Sequence, residues 1–244
     1  TPAHRFKVGS ITKTFVAAVV LQLAEEGALS IDDRLGDHYA GLSWASDVTL
    51  RQLLQHSSGI PEYGSAFAFQ SAADEEWTDE ELIALLAEEE LAFEPGTDWL
   101  YSNSNYVLLG MVVESVTGET WDQQVASRLT EPAALDSFEA PLDDITWAGV
   151  VAGYWQDADT TERLHPTAVG ASGAMVGNAE DVARWGAAWL SGDVLGADMA
   201  AERWNGAIVL YDGELHCGLG IYSIHGANTD PAAELFHNGA LDGY

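Results

Sequence analysis

From Ser10 to Gly27 the chain reads "SITKTFVAAVVLQLAEEG", apolar through its middle and polar at both ends. That pattern predicts a buried helix that stops at Gly27. A second helix is predicted over "VTLRQLLQH", before the turn chemistry of "SSGIPEYG". "TDEELIALLAEEEL" has a Thr cap, acidic residues in its first turn and helical spacing. "FEPGTDWLYSNSN" reads as a loop, and "YVLLGMVVESVTG" as a helix closing at Gly118. "NAEDVARWGAAWLSG" predicts a further helix, capped by Asn178 and stopped near Gly192. Strand signals are concentrated late, where "GAIVLYDGELHCGLGIYSI" predicts a hairpin turning at Asp212-Gly213. A helical middle followed by β-like sequence is an α+β pattern, with helices set against a small antiparallel sheet. No apolar run reaches membrane-spanning length; "FVAAVVLQLA" is too short and reads as core.

Charge changes this picture most. In 244 residues, 39 Asp and Glu face nine Lys and Arg, for a net charge of -30. Nucleic acid and anionic membranes are disfavoured as partners, because phosphate binding needs clustered cations. The acids are spread in short runs such as "DEEWTDEE", which describes a carboxylate-covered surface rather than an acidic tail. We read this as adaptation to high salt, where the screening length falls to about 3 Å at 1 M; a merely acidic mesophilic protein is the alternative. Cys217 is the sole cysteine, so no intrachain disulfide exists and the redox compartment is undetermined. The chain opens on Thr1, with neither an initiator Met nor a leader, which leaves export open.

Three constellations carry candidate chemistry. Ser10 and Lys13 stand three apart at a helix start, where the ammonium can approach the hydroxyl and free N–H groups favour an oxyanion. The plain alternative is a Ser N-cap followed by a solvated lysine. In "YSNSNY", Tyr101 and Asn103 lie two apart in a loop, so both side chains point to one side. A phenol can relay a proton and an amide can orient a lysine or hold a carbonyl, although turn chemistry explains the same residues. In "FHNGALDGY", His237, Asn238 and Gly239 follow β-like sequence, and the glycine allows close backbone approach. A lone histidine is otherwise structural.

Taken in order, these elements resemble the serine β-lactamase and penicillin-binding superfamily, which opens on Ser-x-x-Lys. The detailed resemblance is to the branch of class C β-lactamases, D-alanyl-D-alanine carboxypeptidases, D-aminopeptidases and β-lactamase-like esterases. "YSN" matches its Tyr-x-Asn motif and "HNG" its Lys- or His-x-Gly motif. "LLQHSSGIPEY", "FEPGTDWLYSNSNYVLLGMVVESVTG" and "GASGAMVGNAEDVARWG" resemble its framework across essentially the whole chain.

The resemblance implies a β-lactamase/transpeptidase-like fold and a serine hydrolase that forms an acyl-enzyme on Ser10. It implies that Lys13 and Tyr101 move the proton, and that Asn103 positions Lys13 and the substrate. The N–H groups of Ser10 and Ala240 would form the oxyanion hole, and His237, Asn238 and Gly239 would line the substrate site. The substrate would be a small-molecule or peptide acyl donor: a β-lactam, a D-amino-acid peptide or a short-chain ester. No cofactor is implied, and an extracytoplasmic location is. Asn238 stands where Thr or Ser is usual, and His237 in place of Lys weakens any fixed positive charge. Both tilt the expectation towards an esterase or D-peptidase.

The family carries strands before Ser-x-x-Lys and after the third motif, so a chain truncated at both ends is expected. Residues 1–40 and 203–244 would form the sheet side of one catalytic domain and residues 41–202 its helical region. A metal site is not supported: His56, His165, His216, His225 and His237 are scattered, and "DADTTE" lacks the features of a calcium loop. "GASGA" lacks the spacing of a Gly-x-Ser-x-Gly nucleophile around Ser172. The rival reading is a penicillin-recognising sensor or degenerate scaffold of the same fold. Oligomeric state is left undetermined.

Overall fold

A computed structural model describes residues 2–142, 147, 149–224 and 234–244. Nine helices are seen among them: α1 Thr12–Glu25, α2 Leu50–Leu54, α3 Phe67–Ser71, α4 Asp79–Ala84, α5 Ser104–Thr117, α6 Trp121–Val125, α7 Pro166–Gly173, α8 Ala179–Ser191 and α9 Ala197–Glu202. The strands are β1 Arg5–Lys7, β2 Tyr154–Trp155, β3 Ala158–Asp159, β4 Val176–Asn178, β5 Ile208–Leu210, β6 Leu215–Cys217, β7 Tyr222–Ile224 and β8 Glu234–Phe236.

The centre is α1. Every residue from Phe15 to Leu21 is buried, as a helix without a polar face requires. It packs against α5, whose Tyr106–Leu109 stretch is equally buried, and against α7. α8 is amphipathic and turns Trp185 and Trp189 inward, four residues apart on one face. Trp185 stacks on Phe15 at 3.9 Å between ring centroids, and its Nε1 donates to Thr14 Oγ1 at 2.7 Å. Gly118 and Gly192 close α5 and α8 in the left-handed conformation.

Strands β5, β6, β7 and β8 form an antiparallel sheet in that order, with Leu210 opposite Leu215 and Tyr222 opposite both Cys217 and Phe236. The expected hairpin is β5–β6, but its connection is the short 3-10 turn Tyr211–Gly213 instead of a two-residue turn. The link between β6 and β7 presses the sheet on the helices. Leu219 and Ile221 are buried, Trp189 Nε1 donates to Gly220 O at 3.3 Å, and Gly220 lies against Ala17 of α1. β1 pairs antiparallel with β4, bringing Phe6 opposite Gly177 and leading the chain into Ser10. The fold is thus α+β, helices on an antiparallel sheet.

Two helices differ from their sequence patterns. The predicted helix over 78–91 keeps its Thr78 cap, reciprocated by Glu81, but ends at Ala84. The run Glu88-Glu89-Glu90 would have placed three carboxylates at the negative end of the helix dipole. α1 begins at Thr12, two residues later than predicted, because Gly9–Ile11 form a 3-10 turn ahead of it.

Candidate active site

That 3-10 turn removes the capping reading of Ser10. Its hydroxyl caps neither the turn nor α1. Instead Ser10 Oγ lies 3.0 Å from Lys13 Nζ and accepts the Tyr101 hydroxyl at 2.7 Å. Lys13 is not solvated; it is fully buried. Its Nζ also donates to Asn103 Oδ1 at 2.6 Å and to the carbonyl of Ser172 at 2.7 Å.

Each partner is delivered by a local feature. Tyr101 ends the loop before α5, and Asn103 is the N-cap residue of that helix, with helical backbone angles. Between them Ser102 turns away, its hydroxyl donating to Pro61 O at 3.0 Å. The Ser172 carbonyl comes from α7, which kinks at Gly170 (φ 40°, ψ −135°). Its own hydroxyl is spent on Val169 O at 2.6 Å, so Ser172 contributes only its backbone to Lys13.

The third motif reaches the same place from the far end of the described chain. A Cβ on Gly239 would fall 1.9 Å from Val8 O, and one on Gly9, which has φ +52°, would fall 2.8 Å from Ala240 N. Two backbones therefore lie in direct contact, and only glycine fits on either side. The contact brings the Ala240 amide beside the turn that holds Ser10.

Ser10, Tyr101, Asn103, Asn238 and Ala240 border one cavity of about 490 Å³; neither His237 nor Gly239 does. The half-buried His237 packs its ring on Tyr222 at 5.2 Å, and its Nδ1 lies 2.7 Å from Asn238 O. The rest of the wall is Trp99, Val169, Leu215, Tyr222, Phe236 and Leu241 with Ser172 and Gly173, and among the described residues no Asp, Glu, Lys, Arg or His lines it.

Burial dominates the electrostatics. It pulls the Lys13 ammonium down to about 7, with the negative charge of Glu62 opposing. It pushes the Tyr101 phenol up to about 12, the Ser10 bond pulling the other way and Glu62 adding to the rise. Tyr101 is therefore a neutral donor at ordinary pH. His237 is lowered from the ordinary imidazole range, again chiefly by burial.

Sequence reasoning assigned no catalytic-site part to His56, Glu62 or the Ser172 carbonyl. His56 is buried with φ +59°, and the Tyr101 ring lies over it at 4.4 Å between centroids. Its Nδ1 accepts the backbone N–H of Ser102 at 3.3 Å. Burial, then the charges of Lys13 and His237, hold it well below the ordinary range, hence neutral. The signal for His56 was its place in the framework segment "LLQHSSGIPEY"; a backbone carbonyl leaves none. His165 instead caps α7, His216 sits in β6, and His225 lies outside the described residues. Among the described residues no cluster of three or more His, Cys, Asp or Glu is arranged to hold a metal.

The sequence matches the beta-lactamase family over residues 1–239. It is similar to a D-stereospecific amidohydrolase from a Streptomyces species, whose crystal structure superposes with TM-score 0.88 at 30% identity, over 98% of this chain and 76% of that one. The D-amino acid amidase of Ochrobactrum anthropi SV3 shares the fold, with TM-score 0.86 at 23% identity over 100% of this chain and 72% of that one. A penicillin-binding protein of Bacillus subtilis is 30% identical over 133 residues, which are 54% of this chain but only 29% of the relative.

Proposed function

Because this chain belongs to the beta-lactamase family, we propose that it is a serine hydrolase, forming an acyl-enzyme on Ser10 and cleaving amides or esters that carry no free carboxylate. The observation that carries this reading is the hydrogen-bond set of Lys13. A neutral amine has two hydrogens and one lone pair. Asn103 Oδ1 and Ser172 O are acceptors only, so they take the two hydrogens and leave the lone pair facing Ser10 Oγ. Lys13 is thereby the base, and its lowered pKa makes the neutral form available near pH 7.

In the first step Lys13 takes the Ser10 proton while Oγ bonds to the substrate carbonyl carbon. The resulting oxyanion is held by the N–H groups of Ser10 and Ala240. The carbon–leaving-group bond then breaks, and the departing nitrogen or oxygen takes the hydroxyl proton of Tyr101, which lies beside Ser10 Oγ and regains a proton from the protonated Lys13. Water repeats the sequence on the acyl-enzyme, losing its proton to Lys13 and returning Ser10 to its hydroxyl.

The cavity wall supports the substrate class. Among the described residues it offers six apolar or aromatic side chains and no cation to balance a carboxylate. His237, held neutral, supplies none. β-Lactams and peptides ending in a free carboxylate are therefore poorer substrates than amides and esters without one. Similarity to a D-stereospecific amidohydrolase supports amides of D configuration within that class.

Hydrolysis of p-nitrophenyl butyrate, nitrocefin and a D-alanyl anilide at high salt tests the proposal. Steady turnover of the ester and anilide, exceeding that of nitrocefin and lost in Ser10→Ala, is expected. Activity that persists undiminished in Ser10→Ala removes the serine from the mechanism, and a burst without turnover identifies a sensor.

A further inference from the structure

We propose that Glu62 is a positioning residue for the Ser10–Lys13 couple: its carboxylate holds the side-chain amide of Asn103 with the carbonyl oxygen towards Lys13. The proposal rests on Lys13 acting as the base. An Asn amide presents an acceptor on one side and donors on the other, and both orientations fit the same space. Only one serves here. Turned over, the Asn103 NH2 would oppose the Lys13 donors, and the lone pair of Lys13 would no longer be directed at Ser10.

Glu62 excludes that alternative. Its Oε2 accepts the Asn103 backbone N–H at 2.5 Å, and its Oε1 accepts Asn103 Nδ2 at 3.3 Å. A carboxylate has no donor to offer a flipped amide. The segment carrying Glu62 is itself tied to the start of α5. Pro61 O accepts the hydroxyls of Ser102 and Ser104 at 3.0 and 2.6 Å, and Tyr63 N donates to Ser104 Oγ at 3.0 Å. Gly64 N completes the clamp on Glu62 Oε1 at 3.2 Å.

Glu62 also acts through its charge. The groups around Lys13 are Ser10, Tyr101, Asn103, Tyr106, His56 and His237, and burial holds the two phenols protonated and the two imidazoles neutral. The Glu62 charge opposes the effect of burial on Lys13. Removing that charge lowers the Lys13 midpoint further.

The test compares Glu62→Gln, Glu62→Asp and Asn103→Ala, singly and with Glu62→Gln in the Asn103→Ala background. The kcat for p-nitrophenyl butyrate is expected to fall about 10- to 100-fold in Glu62→Gln, with KM changed much less. In the Asn103→Ala background the same substitution should change kcat far less, since the amide it orients is gone and only its charge still acts on Lys13. An equal cost in both backgrounds, or an unchanged kcat in Glu62→Gln, overturns the proposal.

A second readout needs no activity. The chain has two lysines, Lys7 and Lys13, so 13C-lysine NMR resolves both, with Lys7→Arg assigning them. The Lys13 midpoint should move down in Glu62→Gln and stay near the wild-type value in Glu62→Asp; an unmoved midpoint in Glu62→Gln counts against Glu62 even if the ester proves not to be a substrate. If Glu62→Gln does not fold, Glu62→Asp decides: a shortened carboxylate that leaves kcat unchanged refutes the positioning role.

Discussion

Replacing Lys13 by Met keeps the volume of the side chain and removes its titration. In the folded protein burial brings Lys13 to about 7, against 10.5 in the unfolded chain. Between those values the unfolded state holds a proton that the folded state lacks, so wild-type stability rises with pH across the window. Below about pH 7 both states are protonated and the cost of burying a cation is present in full. At about 1.4 kcal/mol per pH unit the whole window is worth about 5 kcal/mol, and the part from pH 6 to pH 9 about 3 kcal/mol.

The acceptors orphaned by Met, Asn103 Oδ1 and Ser172 O, add a penalty that does not vary with pH and so drops out of the comparison. His56 and His237 titrate below this range and Tyr101 above it, while Lys7, lowered to about 8, is common to both proteins. Urea unfolding of wild type and Lys13→Met at pH 6 and pH 9, at one salt concentration, measures the difference. The stability gap should shift by about 3 kcal/mol in favour of wild type, roughly 1 M or more in urea midpoint. A gap that stays constant to within about 1 kcal/mol would falsify the neutral-lysine reading, because a cation stabilised by Glu62 would carry no such slope.

Two further predictions follow from features of the site and the surface. Gly239→Ala drives a methyl into Val8 O, so the Ala240 amide must move; overpacking of about 1–3 kcal/mol and a loss of kcat of about 100-fold are expected. A variant within threefold of wild-type kcat would show that the backbone contact does not matter to the chemistry. With a net charge of -30, both urea midpoint and ester hydrolysis should increase between 0.1 and 2 M KCl as screening shortens from about 10 Å to under 3 Å. A flat or falling profile with the fold intact removes the high-salt interpretation.

How far the sequence could be read depended on where the information sits. Helices α1, α5 and α8 were legible because long apolar periodicity and caps agree: Asn178 receives Asp181 N, and Gly118 and Gly192 stop their helices in the left-handed region. The strands β1 and β4 were not, since each is three residues long and neither adjoins a hairpin turn of the kind that marked β5 and β6. In the site, Ser10, Lys13, Tyr101 and Asn103 were singled out by the resemblance of their ordered motifs to a known family, and the structure brings the four together. The Ser172 carbonyl escaped notice because any residue carries one, and attention fell on the unsuitable spacing around its hydroxyl. Glu62 escaped because its contact with Asn103 spans 41 residues and one more carboxylate does not stand out among 39 acids.

The backbone contact between Gly9 and Ala240 has a consequence in time. During synthesis Ser10, Lys13 and Tyr101 all precede β8 and the Ala240 amide that follows it. A chain made only as far as α8 holds every side chain that moves a proton, yet lacks one wall of the cavity. Contacts of such long sequence separation close last, after the helices have formed. On the mechanism proposed above, acylation by an activated ester should trail helix formation during refolding. A buried, half-neutral lysine beside a serine is a hazard to any passing acyl donor, and this order of assembly withholds it until the pocket that selects the donor is complete.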